Sequence, residues 1–492
     1  MAFYSLAFLG FILIAILLHE TVGRIKGEYQ WIVRLLASVG FFVYVSGFRI
    51  IFLLLSVITI WAASNCGRLW TGKTVLYITV GINLVLLITA KYLFPISGHP
   101  IILPLGISFY TLMAISYLVD IYGKKHEPEK CLGKLMLYLC WFPQLIQGPI
   151  SRYENISKTL YKPFLLSAPA FRYAFYLFFF GAIKKYAIGD LLAPMVSASL
   201  DVNSVSQMPG SYLLFGAFLF AVEQYANFSG GIEMAVGVSL LFGVNVDKNF
   251  NQPYFATSLA DFWRRWHMTL GSFMRDYVFY PFALLEPVRK FTKKNSKRLS
   301  KHLGRAITGG IGNILVFALV GLWHGPQLHY LAWGLYNGFI IALSDLLVPW
   351  FEKIKALLHI KSSSRIYKGF CVFRTFMIIV FAGYFDVITS VKAGLCCFKQ
   401  TFFDFSLRSG LANISELYTG NVVSLQSLII IAVCIILLLF ISIRREKGCE
   451  PFMTLSTKPF LLRWLFFFSF AVILLYSFTV SNGIGGFMYA AF

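Results

Sequence analysis

The chain has 492 residues, of which 58% are hydrophobic and only 13% charged, and its mean hydropathy is +0.72. That balance excludes an ordinary soluble globular protein and indicates a polytopic membrane protein. The formal net charge of +22 does not imply a nucleic-acid partner, because the Lys and Arg residues cluster in short segments between apolar runs, a pattern set by topology and anionic membrane lipids.

A helix needs about 20 apolar residues to cross the hydrocarbon core. Spans are predicted near 2–19, 31–48, 49–65, 74–96, 101–120, 170–192, 210–226, 307–324, 327–348, 369–390, 427–443 and 462–480. The first reads as a retained span, because it lacks a basic leading region and a small-residue cleavage site. The segment 134–150 is apolar but carries Pro143 and Gly148-Pro149, so a re-entrant or broken helix buried in protein is expected there. The run 230–243 is too short to cross alone and reads the same way. Between 254 and 285 the chain is aromatic and Arg-containing, which predicts an interfacial or partly buried helix. No linker interrupts the chain, so residues 1–492 are expected to form a single membrane-embedded domain.

Basic segments at 121–134, 286–305, 349–368 and 444–460 are expected to face the cytoplasm by the positive-inside rule. The 286–305 segment is a loop on this reading. It holds Arg289, Lys290, Lys293, Lys294, Lys297, Arg298, Lys301 and Arg305 against one acid, Glu286. It reads as a topology anchor, the alternative being a docking site for an acidic carrier protein. The eight Cys are scattered with no CxxC spacing, so neither a disulfide framework nor a Cys-based metal site is indicated.

Two histidines stand in apolar surroundings. His324 lies in Gly321-Leu322-Trp323-His324-Gly325, within a stretch from Ala306 to Ser344 that contains no Asp, Glu, Lys or Arg. Gly325-Pro326 follows directly, and Pro disfavours helical geometry in the residue before it, so the helix is predicted to end there. His267 closes Phe262-Trp263-Arg264-Arg265-Trp266-His267. At helical spacing Trp263, Trp266 and Leu270 share one face, with Arg264 and Arg265 pointing toward head groups or a phosphate. Arg275-Asp276 reads as an internal ion pair.

Ionisable groups at membrane depth are costly and usually face a cavity or a reacting partner, and His moves protons near neutral pH. The competing explanations are a His satisfied within a helix bundle and, for His267, an interfacial helix with a Trp belt. The chain has no nucleophile-elbow Ser, Gly-rich phosphate loop, HExxH or EF-hand pattern. A two-His site without a nucleophile fits direct transfer, in which a base deprotonates an acceptor hydroxyl that attacks an activated acyl group.

At these residues the chain resembles the membrane-bound O-acyltransferase (MBOAT) superfamily, and within it the bacterial alginate O-acetyltransferase branch. The resemblance also runs through Pro104 to Phe109, Ile115 to Asp120, Phe142 to Ile150 and Gly181 to Lys185, and it is strongest over Asp261 to Tyr280 and Gly321 to Gly325. It implies an all-α fold, a ring of tilted helices around a thin core with a central tunnel. It also implies that His324 is the general base and that His267 orients acceptor or donor, or stabilises charge on the thioester oxygen. Trp323, Trp266 and Arg265 are the candidate substrate contacts. Neither a metal nor a bound cofactor is implied. The donor is an acyl thioester, acetyl-CoA or an acyl carrier, and the acceptor is an exported polysaccharide at the cell membrane. An extracytoplasmic accessory acetyltransferase or a cytoplasmic carrier protein would be the partner.

Two departures from the family pattern bear on the acceptor. They are Asn227-Phe228-Ser229-Gly230-Gly231, where relatives usually read Asp-Phe-Ser-Gly-Tyr, and Phe385-Asp386-Val387 in place of Phe-Arg-Ala. A related branch moves D-alanine from a carrier protein to teichoic acid. A proton-coupled transporter or flippase is the rival from another class, although the paired broken helices common in transporters do not show in the two halves of the sequence.

Overall fold

Apolar composition and sparse charge leave the backbone to satisfy itself, and within a membrane an α-helix does this within one segment. The computed structural model describes residues 6–65, 72–93 and 103–480, and every regular element among them is helical. The protein is an all-α polytopic membrane protein. Six stretches among the described residues are long and apolar enough to cross a membrane: Ala7–Asn65, Lys73–Leu93, Lys301–His324, Arg365–Val387, Leu425–Glu446 and Phe460–Val480. Leu328–Leu346 and Val348–Leu357 meet the same criteria only when taken together, with a bend of 56° between them, and count as a seventh if that bent pair is one span. The first stretch holds three consecutive helices, Leu6–Lys26, Gln30–Ser46 and Ile50–Asn65, in line with the first three predicted spans. The predicted spans near 101–120 and 170–192 fall on helices of 16 and 15 residues, Ile107–Tyr122 and Ala168–Ala182. Parts of the predictions at 2–5, 94–96 and 101–102 lie outside the described residues.

Backbone contacts group the chain into two compact units, Met1–Ala187 with Ala226–Lys248 and Cys449–Phe492, and Ile188–Tyr225 with Asn249–Gly448. In the first unit the broken helix is as expected: Leu132–Cys140 stops at Trp141, and Phe142–Gln147 resumes with Pro143 in its first turn. All of it from Leu137 to Gln147 is buried. Arg34 is fully buried nearby, and its guanidinium donates to the carbonyls of Leu160, Lys162 and Phe242 at 2.7, 3.0 and 2.9 Å. Those carbonyl acceptors let a cation sit in an apolar core.

The run 230–243 is not a separate broken element. Residues 210–241 form one helix of 32 residues, Gly210–Leu241. The Gly230-Gly231 pair looks like a breaker, yet Gly230 is a contact point between helices: a Cβ on Gly230 would lie 2.6 Å from Gly181 O, and one on Gly181 would lie 2.6 Å from Gly230 O. Small residues let two helices approach closely, and that packing outweighs glycine's low helix propensity.

The second unit carries both histidines. Its backbone is a helical hairpin, Lys301–His324 and Leu328–Leu346, joined by Gly325, Pro326 and Gln327. A Cβ on Gly310 would meet Ala342 Cβ at 2.9 Å, and one on Gly338 would meet Ile314 Cα at 2.9 Å. At Gly321 and Gly334 it would overlap the carbonyl oxygens of Tyr330 and Phe317. This seam holds the two helices together down to the turn. The basic 286–305 segment is helical rather than a loop: Glu286–Arg298 is a helix, and Ser300 caps the next by accepting from Leu303 N. Residues 391–426 contain two further helices, Val391–Phe403 and Leu407–Thr419, each capped by a Ser.

Candidate functional site

His324 is the last residue of its helix, as Gly325-Pro326 predicts, and is 9% exposed. Three aromatic rings surround it: Trp323 and Trp333 edge-on, each with its centroid 5.3 Å away, and Tyr330 stacked at 5.8 Å. Trp333 and Tyr330 come from the returning helix, so the hairpin turn builds this wall. Trp263 packs edge-on against Trp333 at 5.4 Å, and its Nε1 donates to Asn337 Oδ1 at 3.2 Å. That bond fixes the short helix Leu259–Arg265 to the hairpin.

His267 interrupts the predicted amphipathic helix. The chain is helical over Leu259–Arg265 and again over Met268–Met274, with Trp266 extended and His267 in the left-handed region at φ +44°. Trp263 and Trp266 therefore do not share a face. Trp263 meets the hairpin, whereas Trp266 enters a cluster with Phe250, Phe262, Tyr225 and Tyr254. A left-handed backbone at a residue with a side chain persists only when its surroundings over-determine it. Here Asn249 does so: its backbone oxygen accepts from Met268 N at 2.9 Å, and its Oδ1 accepts from Thr269 N at 3.1 Å and Thr269 Oγ1 at 2.8 Å.

The same Oδ1 lies 3.1 Å from His267 Nδ1. A backbone N–H can only donate, so the atom facing Thr269 N must be the amide oxygen, and an amide oxygen can only accept. Nδ1 therefore carries the proton and Nε2 is the accepting nitrogen. Burial penalises the imidazolium and pushes the pKa of His267 from 6.5 down to about 3. A neutral ring with a lone pair on Nε2 can accept a hydrogen bond from a hydroxyl, but it cannot donate one to an oxyanion. Of the two roles expected for His267, orienting a hydroxyl fits this geometry.

The low pKa has a consequence for stability. The unfolded chain takes up this proton near 6.5 and the folded chain only near 3, so stability falls as pH drops through that window. His267→Gln, which keeps a donor toward Asn249, should shrink the loss in thermal midpoint between about pH 7 and about pH 4.5. Midpoints of the purified variant and wild type across that range check it, and identical slopes would place the acid sensitivity elsewhere.

The two imidazoles are brought together by one indole: Trp323 lies 5.3 Å from His324 and 6.3 Å from His267, centroid to centroid. The remaining candidates are placed differently. Arg265 is bound to carboxylates, with Nε 3.2 Å from Asp261 Oδ2 and an Nη 2.9 Å from Glu446 Oε2, so it ties its short helix to the Leu425–Glu446 helix. Arg264 is largely exposed, and Arg275 pairs with Asp276 at 2.8 Å as expected, although the pair is exposed rather than internal. Trp266 is buried in its cluster with Phe250, Phe262, Tyr225 and Tyr254. Among the described residues no three His, Cys, Asp or Glu side chains gather as a metal site.

Sequence reasoning missed Asn249, 18 residues upstream of His267, because no periodicity links them. It also passed over His329, whose signal was present: it stands in the same charge-free stretch as His324. His329 Nδ1 donates to Phe385 O at 2.9 Å, and its ring lies 4.0 Å from Tyr330, the ring stacked on His324. Next to Phe385, Asp386 Oδ2 accepts from Gln224 Nε2 at 2.5 Å. The Phe-Asp-Val departure is thus built into the wall behind His324.

The chain is 28% identical over 326 residues to the probable alginate O-acetylase AlgI of Pseudomonas aeruginosa, covering 66% of this chain and 56% of that one. It is 29% identical to the peptidoglycan O-acetyltransferase of Helicobacter pylori over 50% of this chain and 47% of that one. Similarity to the teichoic acid D-alanyltransferase of Bacillus subtilis is 28% over 53% and 63%. The chain thus spans about half the length of the curated relatives it matches. The family model for MBOAT, the membrane-bound O-acyltransferase family, matches residues 132–388. Because that segment is just over half of the 492 residues and contains His267, Trp323, His324 and Asn249, the chain belongs to the membrane-bound O-acyltransferase family.

Proposed function

We propose that this protein is an integral-membrane O-acyltransferase that acetylates an exported polysaccharide from an acyl thioester donor. The observation that carries the reading is the pair of buried imidazoles flanking Trp323 inside the family-matched segment. His324 accepts the proton of an acceptor hydroxyl as its oxygen attacks the thioester carbonyl. The C–O bond forms, the C–S bond breaks, and the proton passes to the departing thiolate. His267, fixed by Asn249 as an acceptor through Nε2, holds the hydroxyl in line. Trp323 forms the wall between them and excludes water, which would otherwise compete as the nucleophile.

Acetyl transfer is favoured over other acyl groups by the relatives named as O-acetylases and O-acetyltransferases. The teichoic acid D-alanyltransferase supports a second reading, transfer of D-alanine from a carrier protein. The donor on the first reading is acetyl-CoA or an acetylated carrier, and an extracytoplasmic acetyltransferase is the partner that would pass the group on.

Purified protein supplied with labelled acetyl donor and a candidate exopolysaccharide should place label on the glycan in a form released by mild base, as an ester is. Label transfer that requires a loaded carrier and D-alanine would move the assignment to the second reading. Gradient-driven movement of substrate without any new ester would replace the enzyme by a transporter.

A further inference from the structure

We propose that the second unit holds a specific site for an anionic phospholipid, set in a pocket of about 810 Å³ between the Glu286–Arg298 helix and the start of the Lys301–His324 helix. Four cations line it: Arg289, Lys290, Lys293 and Arg305. Its one carboxylate, Glu286, pairs with Lys290 at 2.7 Å, and no ion pair with an acid is found for Arg289, Lys293 or Arg305 among the described residues. Three like charges converging on one cavity repel one another and attract a phosphate, with guanidinium forks suited to phosphate oxygens.

Thr292 and Thr308 meet across the two helices at 2.8 Å, which holds the basic helix against the span. Phe279 and Ala283 add an apolar part to the lining. The ligand must therefore be charged at one end and apolar at the other.

An apolar track leaves the pocket. Ile311, Leu315, Leu319 and Leu322 are exposed at 45, 38, 37 and 42%, and with Thr308 they recur at helical spacing on one side of the Lys301–His324 helix. Leu284 and Leu285, which lie in the chain between the lining residues Ala283 and Glu286, are exposed. An acyl chain lying along this stripe, with its phosphate on Arg289, Lys293 and Arg305, satisfies both halves of the site.

A soluble phosphate-bearing acyl donor fits less well. Arg305 and His324 stand 19 residues apart in one helix, about 28 Å at 1.5 Å per residue, close to the thickness of the hydrocarbon core. A donor anchored in the pocket would lie a full span from the imidazoles, and the stripe would gain nothing from it. Basic pockets at helix ends are recurrent sites for anionic head groups.

The test uses full-length protein in phosphatidylcholine nanodiscs doped with phosphatidylglycerol, with retained lipid identified and counted by native mass spectrometry. Wild type should retain phosphatidylglycerol in preference to phosphatidylcholine. The triple variant Arg289→Gln/Lys293→Gln/Arg305→Gln should weaken that preference on the order of 100-fold, each charge contributing roughly fivefold. Lys293→Gln alone, at an exposed position where folding is not at issue, should weaken it about fivefold. Lys353→Gln/Lys361→Gln, exposed but outside the pocket, should leave it unchanged. Leu319→Ser should weaken lipid retention without affecting binding of inorganic phosphate. An unchanged lipid preference in the folded triple variant overturns the proposal. So does displacement of the lipid by inorganic phosphate or coenzyme A at equal concentration, which would assign the pocket to a soluble phosphate.

Discussion

Replacing His324 with alanine should lower acyl transfer by about 10²–10⁴-fold, the range lost with a general base, while expression and membrane insertion stay near normal. The side chain is at the end of its helix, so its removal leaves the glycine seam and the hydrogen bonds of Asn249 intact. The effect should fall on turnover rather than on donor affinity, because proton acceptance from the hydroxyl occurs only as the new bond forms. Single-turnover transfer from a labelled thioester checks it. A purified His324→Ala protein with wild-type turnover would remove His324 from the chemistry and leave the ring as part of an aromatic core.

The second large effect is expected at a backbone contact of the hairpin rather than at a reacting group. Gly334→Val should cost activity on the order of 100-fold or more, because misplacing a catalytic group by about 1 Å has that consequence. The helices of the hairpin touch through backbone at this point, where any Cβ would overlap Phe317 O. A valine must push Leu328–Leu346 away from Lys301–His324, and Trp333 and Tyr330, which wall His324, move with it. Overpacking of this kind also destabilises by about 1–3 kcal/mol. Gly369→Ala is the matched control, since a Cβ there meets nothing within 4 Å and alanine is the better helix former. Thermal midpoint and transfer rate measured together check the prediction. Equal activity in the two glycine variants would mean that the seam does not position the site.

Much of this protein was legible in its sequence, because the signals were local. Length of apolar runs and scarcity of charge determined an all-helical membrane protein, since hydrocarbon demands that each segment satisfy its own backbone. Gly325-Pro326 determined where the helix bearing His324 stops, and Pro143 with Gly148-Pro149 determined a broken buried helix; both follow from the steric limits proline sets on its neighbours. The two histidines stood out because ionisable groups at membrane depth are expensive.

Tertiary structure decided the rest. The Gly230-Gly231 pair continues a helix rather than breaking it, and at Gly230 a second backbone, that of Gly181, fills the space where a side chain would be. Trp263 and Trp266 part company because His267 takes a left-handed turn held by Asn249, 18 residues away along the chain. The proton on Nδ1 is fixed by which atom of Asn249 faces Thr269 N, and Arg265 is fixed by a carboxylate, Glu446, 181 residues distant. Periodicity and propensity describe a segment in isolation, whereas protonation, strain and ion pairing depend on which distant groups packing brings within about 3 Å of one another.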